Sequence, residues 1–264
     1  MGKHAFSLKT IYLAALTAVF AVSFFAFVAF DLYSQQRQTE QAMLEEARTF
    51  AREMDAVWQF MDNSQSIINN SSSGGYEFKG LHCSVVGKSV GRLFSAGSDY
   101  HIRYTNFDPR SEQDIPDEFE TKALEAFNAD RSVTEYYGVA PFDGEDRFRY
   151  LQALEVDDSC LECHGEPVGE LDITDHAKEG WTLESVGGAI SIVIPLDQQQ
   201  AAMRGNVIRD MAYFLLITVF IGLVILVVTT VFVLRPLGGM HAAFGELKQG
   251  AWARPSASAS PRRK

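Results

Sequence analysis

The sequence predicts an α+β domain held between two membrane-spanning helices. Three observations predict it. Two uncharged apolar runs, Ile11 to Phe30 and Met211 to Leu234, are each long enough to cross a hydrocarbon core of roughly 30 Å. The region between them mixes helical periodicity with short alternating or β-branched segments. Charge is also divided between the two regions: residues 31–210 hold 33 acids against 15 bases, and the rest of the chain holds eight bases against Glu246 alone.

The elements are taken in chain order. Residues 1–10 form a short basic segment, with Lys3 and Lys9 ahead of the first span, 11–30. That span exceeds a signal-peptide core and is not followed by a small-x-small cleavage site, so it reads as an uncleaved anchor. Basic flanks place both termini in the cytoplasm and residues 31–210 outside it. A helix is expected from Ser34 to Ile68, because Met43, Ala47, Phe50, Met54, Val57 and Met61 recur at spacings of four and three. This seam suits a stalk paired with an identical copy, or a stripe packed on its own domain.

Asn69 to Gly75 breaks the pattern. A second helix follows from Leu81 to Phe94, carrying Val85, Val86, Val90 and Leu93. His101 to Phe107 alternates as a strand, and Asp117 to Phe127 is a short helix with Asp114 or Asp117 as its cap. Arg147 to Val156 and the apolar run Gly188 to Leu196 are strands, the latter central. Helices flanking a small antiparallel sheet give a PAS-like domain. Span two, 211–234, leads into Arg235-Pro236, the start of a HAMP-like helix over 235–252, and 253–264 has a composition that does not fold. About thirty residues after the span are too few for a kinase or cyclase domain.

Cys160-Leu161-Glu162-Cys163-His164 is the motif with the greatest chemical specificity. C-x-x-C-H is the pattern of covalent haem c attachment: two thiols add across the vinyl groups, and the adjacent histidine is held under the iron. Attachment of this kind is made outside the cytoplasm, where the charge pattern independently places the segment. Two rivals stand beside it. A redox dithiol gives His164 no role, and a zinc site would recruit Cys83, Cys160, Cys163 and His164.

The opposite axial position has several candidates: His82, Cys83, His101, His176 and the methionines. Cys83 leads as the one unassigned thiol, on a helix that is otherwise apolar; an inert buried cysteine is the plainer alternative. Haem propionates need cationic partners, for which Arg103, Arg110, Arg147 and Arg149 are available and Arg110 is preferred.

Five blocks in order carry a family resemblance: Gly80-Leu-His-Cys83-Ser-Val-Val-Gly87, Ile102-Arg-Tyr-Thr-Asn-Phe-Asp-Pro109-Arg110, Ile115-Pro-Asp-Glu-Phe-Glu120, Cys160 to Pro167, and Val186 to Pro195. Together they resemble the single-haem, PAS-like extracytoplasmic domain of bacterial sensor histidine kinases and stand-alone cytochromes. The resemblance implies one covalent haem on Cys160 and Cys163, with His164 and Cys83 as axial ligands and His82 as the alternative to Cys83. The sequence departs from the family at Arg110-Ser111-Glu112, where Arg-Asn-Pro is common.

The expectation is therefore a multi-pass protein of the cytoplasmic membrane, a homodimer through its stalk. Its haem domain would sense redox state or a small gas and relay to a cytoplasmic signalling partner. A membrane-tethered monohaem cytochrome for electron transfer is the alternative. The acidic domain disfavours nucleic acid as a partner. With no hydrolase triad, phosphate loop or catalytic carboxylate pair, the chain is not expected to be an enzyme.

Overall fold

The computed structural model describes residues 8–248. Lys3, the end of the HAMP-like segment near Gly250 and the 253–264 tail lie outside the described residues. The chain divides into two compact units, one of residues 34–204 and one of residues 1–33 with 205–264.

The first unit contains the C-terminal part of helix α1 (Leu8–Asn63), then α2 (Gln65–Ile68), α3 (Cys83–Ala96), β1 (His101–Thr105), a 3-10 turn (Glu112–Asp114), α4 (Glu118–Ala129), β2 (Glu135–Phe142), β3 (Glu145–Glu155), α5 (Asp158–His164) and β4 (Val186–Ile194). Its four strands form one antiparallel sheet in the order β1-β4-β3-β2. The unit is α+β, as expected.

The period of two along β3 and β4 explains the layers. Phe148 and Tyr150, with Ile190, Ile192 and Ile194, point to one face, where Met43, Ala47, Ala51 and Met54 of α1 cover them. Leu151 and Ala189 point to the other face and meet Ala123, Leu124 and Phe127 of α4. β4 is buried on both faces, which accounts for its unbroken apolar sequence. The expected seam on α1 is thus occupied, from Met43 to Met54, by the sheet of its own domain. Arg48 fastens the same stretch to the sheet edge: its Nε and Nη2 donate to Glu135 at 3.0 and 2.7 Å, and Tyr150 donates to Glu135 at 2.8 Å.

Helix α4 begins with a capping box. Asp117 accepts from the Glu120 backbone at 2.9 Å, and Glu120 accepts from the Asp117 backbone at 3.0 Å. Strand β2 was not expected, since Gly138 and Pro141 interrupt its pattern; an edge position tolerates both.

In the second unit, α1 from Ile11 to Phe30 and α6 (Asp197–Val228) from Met211 onward are uncharged and predominantly apolar. Two helices here are long and apolar enough to cross a membrane, and neither apolar window is buried within the structure. Phe27 stacks on Phe214 with centroids 4.3 Å apart, and Tyr12 and Thr229 hydroxyls are 3.0 Å apart. A π-helical stretch (Thr229–Leu234) precedes α7 (Arg235–Lys248). Pro236 lacks an N–H and its ring crowds the carbonyl four residues earlier, and a widened turn relieves both.

Candidate functional site

The pentad is itself a helix. Asp157 caps α5, accepting from the backbone N–H groups of Ser159 at 2.9 Å and Cys160 at 3.1 Å. Over one turn, residues i, i+3 and i+4 share a face, so Cys160, Cys163 and His164 are presented together. All three are half-buried, and both thiols are free. Burial pushes the Cys160 thiol up to about 11 and raises Cys163 as well, with Asp172 adding to the latter.

His164 is held by contacts the sequence did not announce. Its Nδ1 lies 2.7 Å from Glu179 Oε2, and its ring stacks on Trp181 with centroids 4.1 Å apart and planes 12° apart. Its carbonyl accepts from the Gly180 and Trp181 backbone at 2.9 and 2.7 Å. Gly180 turns the chain at φ +82°, a conformation that favours glycine, and so brings Trp181 against the ring.

Burial raises the Glu179 carboxyl, but hydrogen bonds from Arg110 and His164 outweigh it and hold the group below its ordinary range. His164 is lowered by burial, which prevails over the Glu179 contact. A neutral imidazole beside an ionised carboxylate must carry its proton on Nδ1, which leaves the Nε2 lone pair available to a metal.

Arg110 organises the floor of this site. Its Nε and Nη2 reach the two Glu179 oxygens at 2.6 and 2.9 Å, Nη1 reaches Asp172 at 2.7 Å, and Nη2 also donates to the Cys163 carbonyl at 2.9 Å. The expected propionate partner is thus compensated by two carboxylates and braces the pentad from beneath. Asp172 is kept well below the usual carboxylate range: burial opposes ionisation, yet bonds from Thr174, Arg110 and His176 prevail. Arg103, Arg147 and Arg149 are engaged elsewhere, with Glu120, Glu145 and Asp117 respectively.

Cys83 opens α3, and Gly87 and Gly91 follow at i+4 and i+8 on the same face. That face lies against Tyr104, Trp58 and the Ile102 carbonyl. Burial pushes the Cys83 thiol up to about 12, with contributions from the charge of Asp62 and from Cys160. His82 is lowered by burial, and Lys88, Arg110 and His164 also act on it. Both candidates therefore share electrostatic surroundings with the pentad. Of the two remaining candidate histidines, His101 packs on Phe142, and His176 bonds Thr174 and donates its backbone N–H to Asp172, the carboxylate that Arg110 holds.

The donor set suits haem c, with two free thiols and a histidine on one helix face, no hydrogen bond to His164 Nε2 among the described residues, and the Cys83 thiol as a further sulfur donor. Among the described residues, no group of three or more His, Cys, Asp or Glu is gathered as a metal-holding cluster, so the zinc set is not assembled.

Comparisons with known proteins cover this region. The Tll0287-like family model matches residues 36–195. Among solved structures, that of the cyanobacterial haem protein Tll0287 matches at 18% identity with a TM-score of 0.44, covering 58% of this chain and 95% of that one. No curated protein matches. With more than half of its length matched, the chain belongs to the Tll0287-like family.

Proposed function

We propose that this is a membrane-anchored sensor whose PAS-like domain carries one covalently attached haem c and relays its state toward the cytoplasm. Cys160 and Cys163 would hold the group, His164 would be one axial ligand and Cys83 the other. Held by these residues, the haem would supply a one-electron iron couple. Family membership supports haem binding, since Tll0287 is a haem protein.

The observation that carries the sensor reading is the seat of Cys83. It begins α3, whose Phe94 meets Phe50 of α1 at 5.3 Å, and α1 runs unbroken from Leu8 to Asn63. A ligand displacing Cys83 favours one arrangement of α3 over another, which is the differential binding that signalling requires. The Arg235-Pro236 start of α7 supports a HAMP-like relay toward histidine-kinase-type signalling. The half-exposed pentad supports the alternative, electron transfer to a soluble redox protein.

The test uses the haem-loaded chain in a bilayer, spin-labelled on exposed stalk positions. Sensing predicts that reduction or carbon monoxide displaces an axial ligand and changes the distance distribution. Two retained ligands, unchanged distances and fast exchange with a redox partner would move the assignment to electron transfer.

A further inference from the structure

We infer that Glu179 is a positioning residue for the iron-ligating histidine, and that its anionic hydrogen bond to His164 Nδ1 biases the bound iron toward the oxidised state. The inference rests on the haem reading above. Four observations converge on it. The 2.7 Å contact joins Nδ1 to a carboxylate rather than to a backbone carbonyl. The fork of Arg110 fixes both oxygens of that carboxylate at 2.6 and 2.9 Å, so Glu179 cannot swing away without breaking a bidentate pair. Asp172 and the Cys163 carbonyl anchor Arg110 in turn, which ties the device to the attachment helix itself. Trp181 fixes the plane of the imidazole, so the ring cannot turn to find another acceptor.

The chemistry follows from charge. A carboxylate accepting from Nδ1 draws the proton away and makes Nε2 a stronger donor. A stronger donor stabilises the more positive, oxidised iron and lowers the reduction potential. Glu179 lies fifteen residues beyond His164 in a segment without regular secondary structure, and no motif pointed to it.

The experiment measures the midpoint potential and the oxidised-state electron paramagnetic resonance spectrum of the full, haem-loaded chain. Glu179→Gln keeps the size and an acceptor oxygen but removes the charge. It should raise the reduced-to-oxidised ratio at fixed potential about tenfold, equivalent to ~59 mV for a one-electron couple, and shift the g values. Glu179→Asp keeps the charge one methylene short of Nδ1 and should shift both readouts in the same direction. It carries the test alone if the Gln variant does not load haem. Unchanged potentials and g values in haem-loaded variants would overturn the inference. So would a shift in Gln with a wild-type Asp variant, because charge at a distance would then suffice. A wild-type chain without haem refutes the underlying reading instead.

Discussion

Cys83 is where residue chemistry and proposed function meet. Burial keeps its thiol protonated across ordinary pH, so a cation is needed to draw out the thiolate. The account predicts that Cys83→Ser leaves the haem attached, changes the oxidised absorption spectrum and raises the potential, because the electron-rich sulfur is lost. An unchanged spectrum would pass the axial position to another group, His82 first. The pentad and this lone thiol stand out in the sequence because each is a rare residue in an informative local setting. Glu179, Asp172 and Trp181 were not legible. They act on His164 and Arg110 through contacts between a loop and a short helix, and such contacts leave no local period. Arg110 was singled out for its cation, and the structure assigns that cation to two carboxylates invisible from its neighbourhood.

At the scale of elements, α3 is the piece whose placement matters most. A Cβ on Gly91 would stand 2.8 Å from the Ile102 carbonyl oxygen, a backbone atom that cannot turn aside. Gly91→Ala gains about 1 kcal/mol of helix propensity, but overpacking costs about 1–3 kcal/mol. The expected result is a net loss of about 1 kcal/mol in denaturant unfolding, together with a perturbed oxidised spectrum as α3 lifts off β1. Equal or greater stability with an unaltered spectrum would show that the close approach is dispensable.

Elements with long, clear periods were readable from the chain, and β4 and α4 appear within two residues of their expected bounds at most ends. β2 escaped notice because Gly138 and Pro141 break its alternation. Its one usable signal was the tight turn at Asp143-Gly144, where both residues have positive φ. The stalk seam shows a different limit. Heptad spacing reports an apolar stripe and leaves its partner open, and here the sheet takes the stretch from Met43 to Met54.

At the scale of the whole molecule, the chain joins an α+β unit to two helices that are long and apolar enough to cross a bilayer. The charge asymmetry of the sequence and the C-x-x-C-H motif are the two sequence features behind the proposal of an exported domain. Family membership covers residues 36–195, a stretch within the 34–204 unit that includes Cys160, Cys163, His164, Cys83 and His82. The most direct test of this account is the intact mass and haem-stained denaturing gel of the protein expressed with a cytochrome c maturation apparatus. The account predicts a mass increase of one haem, a stained band, and loss of both in the Cys160→Ala, Cys163→Ala double variant. A colourless wild-type chain of unmodified mass would contradict it.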